Sequence, residues 1–120
     1  MTDAVLLRRG AIVMVDFDPA IGSEAGRARP AVIVSNNAAN AAATRGGGVV
    51  TVVPLTSNTS RVYPFQVLLP AHATGLPRDS KAQAEQVRTV AVSRIRSATG
   101  WTTTELMHEL DAALRRHLAL

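Results

Sequence analysis

Ala11-Ile-Val-Met-Val-Asp-Phe-Asp-Pro-Ala-Ile-Gly-Ser-Glu-Ala-Gly-Arg-Ala-Arg-Pro-Ala-Val-Ile-Val-Ser35 contains two apolar runs separated by a glycine-punctuated loop. Ala11–Phe17 is β-branched and aromatic enough to be a strand, and Asp18-Pro19 ends it. Ala20–Arg29, with Gly22 and Gly26, reads as a ten-residue loop. In so small a domain a loop of that length is more often a binding element than filler. Pro30–Ser35 is a second strand, its proline tolerated at the first position. The near-continuous apolar run there predicts burial on both faces.

The same reading extends along the chain, where no internal repeat or linker-like stretch interrupts it. Alanine-rich Asn37–Thr44 predicts one helical turn before Gly46-Gly-Gly48, a flexible turn. Val49–Leu55 is a third strand, Thr56–Ser60 a polar loop, Phe65–Leu69 a fourth strand, and Glu85–Ala91 an alternating fifth. Ser93–Ser97 reads as a short helical turn. Thr102 and Glu105 have the spacing of a capping box that opens a C-terminal helix, whose last turn carries Arg115-Arg116. Leu106, Leu110, Leu114 and Leu118 recur every fourth residue and predict one apolar face. Five short strands and one packed helix predict a mainly β fold, a small SH3-like barrel, as a single domain over residues 1–120.

With 120 residues and 47% hydrophobic composition, the chain can bury a modest core that self-association would reinforce. The absence of cysteine excludes a disulfide framework, a thiolate zinc site and a thiol nucleophile. Met1–Gly10 carries an early acid and only a brief apolar stretch, and no apolar run is long enough to span a bilayer. A soluble cytoplasmic protein with no membrane partner is expected. The net charge is +4, and twelve of the thirteen basic residues are arginine. Residues 45–96 hold Arg45, Arg61, Arg78, Lys81, Arg88, Arg94 and Arg96 against only Asp79 and Glu85. A basic middle of planar guanidinium groups suits phosphate contact. A solvated basic surface accounts for the same charges.

Three constellations could carry chemistry. Gly22-Ser-Glu-Ala-Gly-Arg-Ala-Arg-Pro30 delivers Arg29 where a loop becomes a strand, so that its fork is held in one orientation, as a phosphate clamp requires. Pairing of Arg29 with Glu24, or a cap on the sheet, is the structural alternative. Pro54-Leu-Thr-Ser-Asn58 places Thr56, Ser57 and Asn58 at the end of the third strand, near Arg29 if strands two and three are neighbours. The same residues are ordinary turn chemistry. In Asp79–Arg88, the side chains of Gln83, Gln86 and Arg88 could read base edges or hold phosphates, or simply solvate a strand. Among the histidines, His108 and His117 lie nine residues apart on the helix. At about 100° per residue they point opposite ways, which argues against a histidine dyad or metal site.

Arg9–Pro19, Gly22-Ser-Glu24, Arg29–Ser35, Val53-Pro-Leu-Thr-Ser57, Tyr63-Pro-Phe65, Leu76-Pro-Arg-Asp-Ser80 and Glu85-Gln-Val-Arg-Thr89 together resemble the MazF/PemK toxins of toxin–antitoxin systems. The resemblance covers nearly the whole chain. It implies an SH3-like barrel with a C-terminal helix, usually a homodimer, neutralised by a cognate antitoxin whose tail lies along the RNA groove. It also implies sequence-selective cleavage of single-stranded RNA with no metal and no cofactor, by attack of the RNA's own 2′-hydroxyl. In that family the arginine of the Arg-Pro step and the threonine after strand three are catalytic, and they fall on Arg29 and Thr56. Gly22, Ser23 and Glu24 would border the site, and Ser57, Asn58, Gln83, Gln86 and Arg88 are further candidates for RNA contact. The Gly46–Gly48 run departs from the pattern. Two other functions fit such a fold: a non-enzymatic toxin of the CcdB kind that binds DNA gyrase, and an RNA-binding barrel without turnover. The pairing of Arg29 with Thr56 favours cleavage over the first. Aromatic residues at only 3% speak against the second, because stacking platforms need aromatic rings.

Overall fold

The computed structural model describes residues 7–19 and 21–120; the reading of residues 1–6 and the loop position 20 lie outside them. The elements are β1 (Ala11–Asp16), β2 (Ala28–Ile33), α1 (Asn37–Gly46), β3 (Val49–Thr56), β4 (Gln66–Leu69), α2 (Ala71–Thr74), β5 (Ser80–Gln83), β6 (Arg88–Ala91), β7 (Ile95–Trp101) and α3 (Thr104–Leu118). Short 3₁₀ turns occupy Ala84–Gln86 and Val92–Arg94. The strands pair antiparallel in the order β4-β5-β3-β2-β1-β7, and β6 joins β3 alongside β5. The sheet curls without closing, since β4 and β7 end the path unpaired with each other. Among the described residues no helix is long and apolar enough to cross a membrane.

Burial of β2 on both faces is observed. Val32 packs with Ile12, Val53, Leu55, Val67, Leu69 and Leu110 on one side of the sheet. Ala31 and Ile33 pack with Val13, Val15, Phe17, Val50 and Val52 on the other. The strand begins at Ala28, two residues earlier than expected, because β1 pairs Asp16 with Ala28 and Val15 with Arg29. Arg29 therefore lies inside the strand. The β2–β3 ladder runs from Ile33↔Val52 to Ala31↔Pro54 and stops. The next hydrogen-bonded pair in this register would be Pro30 with Leu55, and Pro30 has no N–H to donate, so the ladder loses a bond where β2 carries its proline. Beyond that point the strands part.

Other differences have equally local causes. The alanine-rich segment makes a full ten-residue helix, α1, in place of one turn. Asn36 caps it by accepting from the Ala39 N–H, and Gly47 in the left-handed region (φ 69°) terminates it. α3 is capped by Thr103, whose hydroxyl accepts from the Leu106 N–H. Thr102 is displaced from that role, its hydroxyl donating instead to the Gly10 carbonyl at 2.8 Å. The buried side of α3 is Met107, Leu110 and Ala113, while Leu118 is half-exposed. A four-residue repeat drifts by about 40° per step, which carries Leu118 off the packed face.

Candidate functional site

Where β2 and β3 diverge, a cleft of about 340 Å³ opens, lined by Arg27–Pro30, Leu55–Ser57, Leu76–Arg78 and Ser80. Continuing the β2–β3 register two residues past its last pair would bring Arg29 opposite Thr56. Both line the cleft, as does Ser57. Among the described residues three arginines, Arg27, Arg29 and Arg78, line it, and no carboxylate does. A concave surface with guanidinium donors and no competing acid attracts an anion.

The donors are partly committed, and the pattern of commitment is informative. Arg29 Nε donates to the Gly26 carbonyl at 3.0 Å, which fixes the plane of the guanidinium. No hydrogen bond or ion pair engages its two Nη groups among the described residues, and Glu24 does not pair with it. Glu24 instead accepts the Ile21 N–H at 3.1 Å within the loop. The Thr56 hydroxyl oxygen accepts the Asn58 N–H at 3.2 Å, which turns its own proton away from that partner. Asn58 has its side-chain oxygen taken up by the N–H and hydroxyl of Ser60, so it shapes the turn.

The loop between β1 and β2 is tied down at its base. The Phe17 N–H donates to the Arg27 carbonyl and the Arg27 N–H to Asp18 Oδ1 at 2.6 Å. Arg94 donates from Nη1 to the carbonyls of Asp16 and Asp18. The Asp18 N–H, then the Arg96 guanidinium at 3.2 Å, hold the Asp16 carboxyl below its ordinary value. Gln86 clasps the loop's far side, accepting the Ala25 N–H and donating to the Ser23 carbonyl. Arg27 itself adopts a left-handed backbone (φ 61°), uncommon for a side chain of that size.

Of the sequence candidates, the structure thus brings Arg29, Thr56 and Ser57 together. Gly22, Ser23 and Glu24 lie on the exposed loop and do not line the cleft. Gln83 and Arg88 also lie away from it, with Arg88 stacked 5.4 Å above the Phe17 ring. Arg27, Arg78 and Ser80 line the cleft and had not been singled out as site residues. The signal for Arg78 and Ser80 was present in Leu76-Pro-Arg-Asp-Ser80, where Asp79 accepts the Ala71 N–H at 2.8 Å and fixes the turn.

Residues 8–118 match the family of PemK-like, MazF-like toxins of type II toxin–antitoxin systems. The chain belongs to that family. Within it, this PemK/MazF-type chain is 57% identical over 116 residues to endoribonuclease MazF9 of Mycobacterium tuberculosis, covering 96% of this chain and 98% of the relative. It is 30% identical to endoribonuclease EndoA of Bacillus subtilis over 97% of each chain. Among solved structures, MazF from Deinococcus radiodurans matches with a TM-score of 0.81 at 28% identity, covering 98% of this chain and all of that one. A mycobacterial endoribonuclease solved with its cognate antitoxin matches at 0.71 and 26% identity, covering 94% of this chain and 95% of that one.

Proposed function

We propose that this chain is the toxin of a type II toxin–antitoxin pair and cuts single-stranded RNA in the cytoplasm, with Arg29 and Thr56 acting on the scissile phosphate. The observation that carries the reading is the cleft itself: two parted strands present an oriented guanidinium and a free hydroxyl proton across a space that no acid lines among the described residues. The relatives' names, endoribonuclease in each case, agree with it.

The chemistry follows from what these groups offer. The RNA's 2′-hydroxyl gives up its proton and attacks the adjacent phosphorus, the P–O5′ bond breaks, and the leaving 5′-oxygen takes up a proton, so the protein supplies no nucleophile. Charge gathers on the non-bridging oxygens as the fifth bond forms. The Nη groups of Arg29 neutralise it in a bidentate manner, and the Thr56 hydroxyl donates to one oxygen and fixes its position. Arg27 and Arg78 draw the backbone into the cleft. The products are a 2′,3′-cyclic phosphate, or the 3′-phosphate from its opening, and a 5′-hydroxyl. A cognate antitoxin would silence the enzyme by covering the cleft; the mycobacterial relative is solved in complex with its cognate antitoxin. A homodimer would cover exposed Val49 and Trp101, and sedimentation equilibrium tests that: a monomer at micromolar concentration refutes it.

The decisive experiment incubates purified protein with a long single-stranded RNA in EDTA, beside Arg29→Ala, and maps the ends produced. Discrete cuts leaving 5′-hydroxyl ends, lost by about 10²–10³ in the variant, are expected. Equal activity of the variant would remove Arg29 from the mechanism. A folded, antitoxin-free protein that leaves RNA intact would turn attention to gyrase.

A further inference from the structure

On the side of Thr56 away from β2, β5 places Lys81 opposite it in the β3–β5 register. Residues paired in this way share a face of the sheet, with Cβ atoms about 4.5–5.5 Å apart. Lys81 is 8% exposed, and its ammonium forms no ion pair among the described residues. It donates instead to the Arg61 carbonyl at 2.6 Å and lies 5.6 Å from the centre of the Tyr63 ring. The lysine thus reaches from the catalytic row into the loop joining β3 and β4, and holds it there.

Tyr63 is held by its backbone, by a neighbouring ring and by the Arg61 guanidinium, whose Nη1 donates to its hydroxyl at 3.3 Å. Its N–H donates to Gln66 Oε1 at 3.1 Å, and its carbonyl accepts the Gln66 N–H at 2.8 Å. Gln66 is buried and its amide donates in turn to Glu85 at 2.7 Å. Phe65 meets the ring edge-on with centroids 5.4 Å apart, and the Arg61 guanidinium stands 5.6 Å from the ring centre. Yet the residue remains 41% exposed. Phe17 is fully buried and Phe65 half-buried, so an aromatic-poor chain has committed a buried glutamine, a buried lysine and a second ring to positioning this one. A partly exposed aromatic ring with two cations over it suits an occupant that has a flat π-face and carries negative charge. A nucleotide of a single strand has both.

We propose that Tyr63 stacks on a base flanking the scissile phosphate and that Lys81 is the positioning residue that sets its height above the cleft. The inference rests on the reading of Arg29 and Thr56 as the cleavage pair. It makes Tyr63 a determinant of substrate choice, since a rigid ring on one flank favours sequences whose neighbouring base stacks well.

The test uses a short RNA carrying a mapped cut, together with versions made abasic at each position flanking it. Tyr63→Ala raises KM by about ten- to a hundredfold with kcat little changed, and Tyr63→Phe retains wild-type behaviour. One abasic position costs the wild type the same factor and costs Tyr63→Ala nothing more, the non-additivity expected of groups in direct contact. Lys81→Met reproduces much of the Tyr63→Ala loss, and Lys81→Arg restores it. Losses that add at every abasic position, or an unchanged KM in Tyr63→Ala, overturn the proposal. So does a Tyr63→Ala protein that cuts normally but escapes its antitoxin, because the ring would then serve the protein partner. Anisotropy of a fluorescein-labelled single-stranded RNA, measured in wild type, Tyr63→Ala and Arg29→Ala, separates the two readings. Weaker binding in Tyr63→Ala supports stacking even where the cleavage assignment fails, and equal binding overturns it.

Discussion

Gly100 lies in β7, yet a methyl group there should be felt in the cleft. A Cβ built at that position falls under 3.0 Å from the Thr74 carbonyl oxygen, where ordinary contacts begin near 3.4 Å, and also meets Ile12 Cδ1 at 3.6 Å. The neighbouring atom is backbone, so relief requires β7 or α2 to shift by several tenths of an ångström. α2 is pinned by the Thr74 hydroxyl on the Pro70 carbonyl and by Asp79 on the Ala71 N–H, and Ile12, the register partner of Gly100 on β1, is fully buried. Overpacking of this kind costs about 1–3 kcal/mol. With about 2.1 cal/mol/K of unfolding entropy per residue, a chain of this length should melt about 4–12 °C lower in Gly100→Ala. Because Leu76, Pro77 and Arg78 follow α2 into the cleft lining, RNA cleavage should fall as well, by up to about tenfold in the folded protein. Thermal melts at fixed protomer concentration, beside single-turnover cleavage, make the comparison. A variant that melts within about 1 °C of wild type would show that the close approach of β7 to α2 is not what the packing requires.

Arg29→Lys preserves charge but has no Nη pair to spare once its single ammonium contacts the Gly26 carbonyl, so kcat should drop by about 10²–10³ with KM little altered; a change below about threefold in single-turnover rate would contradict the bidentate role. Thr103→Ala should cost about 1 kcal/mol through loss of the α3 cap, read as a lower urea midpoint at constant slope. If Thr102→Ala mimics it by freeing the helix terminus, the cap assignment is wrong. The lowered Asp16 carboxyl contributes stability that is present above its ordinary value of 3.8 and is lost as pH falls through its folded value. Asp16→Asn should therefore melt below wild type at neutral pH, with the gap narrowing below about pH 4, and a gap independent of pH would discount this residue.

The elements readable from sequence are those whose own side chains specify them. β1, β2, β3 and β4 carry apolar runs, and α3 carries a periodic face and a polar N-terminus. β7 was unreadable because Arg96-Ser-Ala-Thr99 is an exposed polar stretch whose extended form is supplied by pairing with β1. β5, Ser80-Lys-Ala-Gln83, likewise draws its conformation from β3 and β4. Arg29 and Thr56 are singled out by the resemblance to the PemK/MazF toxins, since the residues alone fit an ion pair and a turn equally well. Lys81 and Tyr63 are not, because what joins them is a cross-strand register and a side chain reaching into a loop, neither of which leaves a periodic trace. Gln86 shows the converse: a polar side chain that looked like a base reader is occupied at both ends by the backbone of the loop it clasps.

Pro30, at the mouth of the cleft, bears on how quickly it can act. Antiparallel strands with free donors and acceptors tend to zip together when nothing lies between them, and a groove formed that way must be prised apart by each incoming strand. Pro30 offers no amide hydrogen with which to zip onto β3, and the gap stands open beyond Ala31↔Pro54. If this cleft is where RNA is cut, as proposed, the strand meets a groove that is already open, and its encounter is not gated by a prior opening step.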